Sequence, residues 1–379
     1  MTLTTKPVVH LLGMGAMGTI LAMDMMNYTN SKVIPLLRSE EKVSLFKSEY
    51  NNTIGVKKLY LNDAPLVTQQ LCIVECPTTF SGNHIDNIII TTKTYQTKEA
   101  LMPYLPFIDS KSNLILIQNG LGILEVLKEQ IFTDKTDRPN IFQGVISHGA
   151  FMDQGFTFNH AGWAGMKIAR LPWEDSEMIQ NEKLKNKDSK TNELVMLLTE
   201  PELAKAFGIE HMTYQELLAG QLFKFLINCC INPVTATVDA VNGELVDGCK
   251  DLFVLIVQEA LEILRLEYKT LFDYENEYNG KPNYPTLKIS SVLNTDNMME
   301  TIVNIGTVVN AKNSSSMRQD TLYLRDTEID YINGYIVSLA RKLNLPKEAA
   351  KVNETVIAFV NLRTGINRRR DMVGDMRNI

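Results

Sequence analysis

Apolar and polar positions divide this chain into two regimes. Up to about residue 212, short apolar runs alternate with turn residues and helix-compatible stretches. Residues 8–12, 33–37, 87–90 and 114–117 read as buried strands. The first runs into a helix ending near Met26, and a helix-compatible segment at 97–104 lies between the last two. This alternation predicts a doubly wound, mostly parallel sheet. Residues 51–87 mix short β-type runs with turns and predict small strands or an edge excursion. Between 140 and 169, FQGVISHGAFM, GFTFNHAG and GMKIARL read as further strands completing the sheet. The charged run 174–193 predicts a solvated loop. A short helix over 191–206 and a last element at 208–211 finish this region.

Beyond residue 213 the period becomes helical, over 217–231, 252–268, 297–309, 328–343 and 349–362, with a long loop at 274–291. The expected organisation is α/β: a dinucleotide-binding domain over 1–212 and an all-helical substrate domain over 213–379. A chain of 379 residues with 45% apolar content is long enough for two cores.

The net charge of −6, spread without a basic stripe, argues against nucleic acid or an anionic membrane as partner. The best candidate run, 252–264, is broken by Gln258 and Glu259, so no membrane span is expected. A strand beginning by Val8 leaves little room for a leader. Five cysteines, an odd number with Cys229 and Cys230 in an apolar helix, fit a reducing, cytoplasmic compartment. Cys72 and Cys76 lack a second Cys or His pair at zinc-like spacing, so no metal is expected.

The candidate chemistry begins at Gly13-Met14-Gly15-Ala16-Met17-Gly18, a G-x-G-x-x-G between a strand and a helix. Its glycines allow the tight turn, the approach of a pyrophosphate and close helix packing, so this context reads as a Rossmann-type dinucleotide site. Arg38 ends the second strand where an NAD site would place an acid. A cation there suits the 2′-phosphate of NADP, and equally fits an ordinary surface residue. Lys93 and Asn119 follow the next two strands, at the ends where ligands bind in such sheets, although Asn119-Gly120 also has turn chemistry.

In the stretch QLFKFLINCCINPVTAT, 221–237, the run from Leu222 to Ile231 is apolar on every side apart from Lys224 and Asn228, and Asn232 follows it. At i, i+4 and i+8 these share one sector of a helix. A polar ligand would satisfy them; so would a lysine snorkelling to solvent and an asparagine ending the helix before Pro233. His148 and His160 read as structural or surface residues. Glu328, at a helix start ahead of the Ile329, Ile332, Ile336 and Leu339 stripe, has the ordinary placement of a first-turn carboxylate.

Taken together, GMGAMG, TTKTYQ at Thr91, QNGLG at Gln118, KFLINCCINP at Lys224, NGEL at Asn242 and SSMRQDTLYLRDTEIDYINGY at Ser315 resemble the ketopantoate reductase family in motif order. The resemblance implies NADPH-dependent reduction of ketopantoate to pantoate, toward pantothenate and coenzyme A, with Lys224 as proton donor. It implies that Asn228, Asn232, Asn242 and Ser316 contact substrate. It places Lys93, Asn119 and Glu328 near the nicotinamide end and raises Glu328 above a structural role. A homodimer is compatible with it. Two rival readings are a reductase of another 2-oxo or 3-hydroxy acid and an NADPH-binding regulator without turnover.

Overall fold

The computed structural model describes residues 6–245 and 248–372. The chain packs into two compact units: 1–118 with 123–217, and 119–122 with 218–379. The expected cut after residue 212 differs in two ways. The change of unit falls one turn inside the helix Tyr214–Val238, and the loop 119–122 belongs with the helical unit.

Among the described residues of the first unit, eleven strands form two sheets. They are β1 (Val8–Leu12), β2 (Lys32–Leu36), β3 (Thr53–Lys58), β4 (Leu66–Gln70), β5 (Asn87–Ile90), β6 (Asn113–Ile117), β7 (Asn140–Ile146), β8 (Gly149–Gln154), β9 (Thr157–Gly162), β10 (Met166–Arg170) and β11 (Ile209–His211). The main sheet runs β11-β10-β7-β6-β5-β1-β2, parallel throughout except for antiparallel β10 and β7. Every residue of β5 and β6 is buried, as strands covered on both faces must be. The chain reverses direction across the sheet at β1, which lies between β2 and β5. That reversal opens a crevice at the carboxyl ends of the strands.

At the opposite ends of the strands lies a ladder of carboxamides. Asn87, Asn113 and Asn140 are register partners at the starts of β5, β6 and β7. Asn113 Nδ2 donates to Asn87 Oδ1 at 3.1 Å, and Asn140 Nδ2 to Asn113 Oδ1 at 3.2 Å. Arg170 donates to Asn140 Oδ1 and grips Asp188 with two further nitrogens, while Asn87 donates to Glu193.

Two expectations are corrected in this unit. Of the strands between 140 and 169, only β7 and β10 join the main sheet; β8 and β9 form a second sheet, β4-β3-β9-β8, with the strands of the 51–87 region. Alternation predicts strands but not which sheet they enter. The charged run after Trp173 is not simply a loop: it contains the helix Glu182–Thr191, capped by Asn181 Oδ1 on the Lys183 amide. Asp188 faces inward there because Arg170 compensates its charge. The expected helix over 191–206 is two pieces, Glu193–Leu198 and Pro201–Phe207, with Pro201 opening the second.

Among its described residues the second unit has helices and turns but no strand. Its centre is the helix Tyr214–Val238, which continues through Pro233 rather than ending at Asn232. This helix of 25 residues, whose most apolar 18-residue stretch has mean hydropathy 1.4, is long and apolar enough to cross a membrane by length and composition. It replaces 252–264 as the most membrane-like run, and most of that stretch is buried within the protein, as in a core helix. Around it stand Lys250–Glu267, Thr295–Thr301 with a wider turn through Val309, Ser316–Leu322, Asn333–Lys342 and Lys351–Met372. The loop expected at 274–291 opens with a helical turn, Tyr274–Tyr278. The helix expected over 328–343 is broken at Ile332, after the tight turn Ile329–Tyr331.

Candidate active site

The glycine loop joins β1 to the helix Ala16–Tyr28, and each glycine has its own reason. Gly13 has φ +111°, and a Cβ there would lie 2.8 Å from Thr91 Oγ1 and from the Thr92 amide. Thr91 Oγ1 fastens the turn by donating to the Gly13 carbonyl at 2.7 Å. A Cβ on Gly18 would meet that carbonyl at 2.1 Å, so helix and strand pack without room for a side chain. At Gly15, by contrast, a Cβ would have nothing within 4 Å. Gly15 is also the N-cap, and no side chain caps the helix. Open space in front of uncapped amides fits a dinucleotide pyrophosphate. Ala16 and Met17 begin that helix, while Met14 and Met17 pack partly against the core.

Arg38 is exposed just beyond β2, the strand beside β1. Lys93 is half-buried after β5, at the N-cap of the turn Thr94–Gln96. Both belong to the first unit, as do His148 and His160. The two imidazoles pack edge to face, centroids 4.7 Å apart, and burial pushes the His160 pKa down to about 4. A neutral ring in a packed interior is a structural one. Lys58, which the sequence left without a reading, forms a 2.8 Å buried ion pair with Asp24 of the glycine-loop helix.

Within the second unit, Lys224 Nζ donates to Asn119 Oδ1 at 3.1 Å. The loop carrying Asn119 is tightly specified. Gly120 and Gly122 have φ +81° and +91°, and a Cβ on Gly120 would lie 2.5 Å from the Tyr331 carbonyl. The Leu121 amide donates to that same carbonyl, and Gln221, one turn before Lys224, donates to the Gly120 carbonyl. Asn119-Gly120 is therefore a turn and a side-chain platform at once. Gln221 and Tyr331 were not singled out in the sequence; the spacing of Gln221 from Lys224 was the available signal.

Burial lowers the Lys224 pKa to about 8, and the Glu328 carboxylate opposes the shift. Glu328 is buried at the break before Ile329 and does not cap a regular helix. The stripe Ile329, Ile332, Ile336 and Leu339 is buried as expected.

On the same helix as Lys224, Asn228 is half-buried and Asn232 buried. One turn further, Thr235 Oγ1 hydrogen-bonds Ser315 Oγ at 2.7 Å. Ser315 caps the helix whose first residue, Ser316, is exposed. The Asn242 amide donates to the Asn313 carbonyl at 3.0 Å, which brings Asn242 to the same segment. Asn242 is 7% exposed, and its Oδ1 has no hydrogen-bond partner among the described residues. Such an acceptor costs about 1–3 kcal/mol unless a ligand uses it.

A dinucleotide cradle on a doubly wound sheet, and a helical unit holding a lysine poised to release a proton, are the parts of an oxidoreductase. The family described as Ketopantoate reductase PanE/ApbA matches residues 9–173, and its C-terminal counterpart matches 216–364. The chain is 54% identical to a 2-dehydropantoate 2-reductase of Saccharomyces cerevisiae, covering 100% of both, and 36% identical to a probable one of Schizosaccharomyces pombe, covering 96% and 98%. A Bacillus subtilis probable 2-dehydropantoate 2-reductase shares the fold with TM-score 0.64 at 22% identity, covering 93% of this chain and 99% of its own. This protein belongs to the ketopantoate reductase family.

Proposed function

We propose that this protein is a cytoplasmic 2-dehydropantoate 2-reductase that reduces ketopantoate to pantoate with NADPH, a step toward pantothenate and coenzyme A. The observation that carries the reading is Lys224, with its pKa near 8 and its ammonium held by Asn119.

Gly13–Gly18 would hold a nicotinamide dinucleotide, which would supply the hydride for C2 of the keto acid. Arg38, exposed beyond β2, would face the 2′-phosphate that distinguishes NADPH from NADH. Lys93 would meet the same cofactor, as would Glu328. As C2 is reduced, negative charge builds on its oxygen; the Lys224 ammonium stabilises that charge and then donates its proton there. Asn119 fixes where the ammonium points, and the Glu328 carboxylate favours its protonated form. Asn228, Asn232 and Ser316 would hold the substrate carboxylate and hydroxyl. The unpartnered Asn242 Oδ1 suits the hydroxyl proton.

A Staphylococcus aureus ketopantoate reductase, 18% identical with TM-score 0.61, is described as dimeric. We extend that state to this chain, whose last helix exposes Phe359, Leu362 and Ile366 along one stripe.

The fold does not select the substrate: a D-mandelate dehydrogenase structure with NADH and anilino(oxo)acetate has TM-score 0.67 at 18% identity. The test is therefore NADPH consumption with ketopantoate against a panel of 2-oxo acids, repeated with NADH. Fastest turnover of ketopantoate with NADPH supports the assignment. Preference for another acid replaces the substrate, and NADPH binding with no turnover on any acid leaves a cofactor-binding regulator.

A further inference from the structure

The helix that carries Lys224, Asn228 and Asn232 contains a residue that ought to interrupt it. In an α-helix the N–H of residue 233 would bond the carbonyl of Cys229, but residue 233 is proline and has no N–H. A buried carbonyl without a donor, next to a proline ring that crowds it, ordinarily kinks a helix. Here the helix runs on to Val238.

Asn333 supplies the missing donor. Its Nδ2 donates to the Cys229 carbonyl at 3.0 Å and, through its second proton, to Asn353 Oδ1 at 2.9 Å. The direction of these bonds follows from a carboxylate. Glu259 accepts from the Val352 and Asn353 amides and from Asn353 Nδ2, each at 2.8 Å. An ionised carboxylate only accepts, so Asn353 must turn its nitrogen to Glu259 and its oxygen to Asn333. Asn333 then has acceptors on both sides and must present its nitrogen to each. Reversing its amide would set oxygen against oxygen twice. The cost of this orientation is visible: Asn333 is fully buried and its Oδ1 has no partner among the described residues. An asparagine serving only as filler would not be held so.

We infer that Asn333 is a positioning residue for the substrate site: it replaces the hydrogen bond that Pro233 removes, and so keeps the segment after the proline gap in register with Lys224. That segment includes Thr235, whose hydroxyl holds Ser315 and through it the helix beginning at Ser316. Asn232 abuts the gap. Lys224 lies two turns upstream, so a loosened gap moves the substrate contacts relative to the proton donor rather than the donor itself.

This inference rests on the proposed reductase activity for its kinetic arm and on backbone protection for an arm independent of it. The experiment is a cycle of three variants: Asn333→Ala, Pro233→Ala, which returns an N–H to residue 233, and the double variant. In Asn333→Ala the KM for ketopantoate rises roughly tenfold while kcat changes less and NADPH affinity stays put. Pro233→Ala behaves like wild type, and the double variant regains most of the lost KM. Amide hydrogen exchange in 229–238 accelerates in Asn333→Ala and slows again in the double. If Asn333→Ala does not fold, the double variant still should, and its failure to do so overturns the inference. So does a wild-type KM in Asn333→Ala, a defect that Pro233→Ala leaves unrepaired, or equal losses in KM, kcat and NADPH binding. Inactivity of wild type toward ketopantoate would sink the proposed function alone, and hydrogen exchange would still decide the role of Asn333.

Discussion

Asn119 Oδ1 accepts the Lys224 Nζ proton at 3.1 Å, and the loop that presents Asn119 is fixed by two glycines of positive φ. The carboxamide thus aims an ammonium that would otherwise sweep several rotamers. Asn119→Ala is expected to lower kcat about tenfold or more, since misorientation of a reacting group is costly. Single-turnover reduction, with NADPH affinity measured separately, checks it.

Lys224→Ala removes the proposed proton donor, and the rate is expected to fall by roughly 10²-fold or more with NADPH still bound. A variant within tenfold of wild type would mean that another group, or water, delivers the proton.

With a pKa near 8, Lys224 loses its proton across mildly alkaline pH, so reduction should decline above about pH 8. Glu328 raises that pKa. Glu328→Gln should therefore shift the alkaline limb to lower pH, and pH–rate profiles of both proteins show the direction. Stability moves the other way. The folded-state pKa lies below the ordinary lysine value of 10.5, so the unfolded chain binds more protons between the two and stability rises with pH across that window. Lys224→Met should accordingly unfold at higher denaturant than wild type at neutral pH.

The glycines of the loop should separate binding from stability. Gly15→Val places a side chain in open space and should abolish NADPH binding while leaving the thermal midpoint nearly unchanged. Gly18→Ala collides with the Gly13 carbonyl and should lower the midpoint. Fluorescence titration and thermal unfolding on the two proteins distinguish these effects.

Arg38→Asp should weaken NADPH and favour NADH, shifting the ratio of their kcat/KM values by about tenfold or more. An unchanged ratio would return Arg38 to the ordinary surface.

Asp24 and Lys58 illustrate what the sequence did not disclose. Nothing near Lys58 marks it, because its partner lies in another element and they meet only through the second sheet's packing on the helix. The glycine loop was legible because strand, spacing and helix occur in order. Lys224, Asn228 and Asn232 were legible as one helical sector, but only the family resemblance gave them roles. Glu328 was opaque because a carboxylate at a helix start is common, and its buried position beside a break at Ile332 is a tertiary fact. The charged run after Trp173 misled because Asp188 is inward only by virtue of Arg170, a strand away.

The carboxamide ladder of Asn87, Asn113 and Asn140 acts as a ruler. Two of the strands it begins, NIII and NLILI, are apolar throughout after their asparagine, so a slipped pairing between them would bury nearly the same hydrocarbon. Hydrophobic patterning fixes alignment where a strand has a wet face, and these have none. The amides that meet at the starting line remove the ambiguity, because a slip would leave the buried Asn87 and Asn113 without their partners. The sheet whose far ends carry the glycine loop thus has its alignment checked at the near ends.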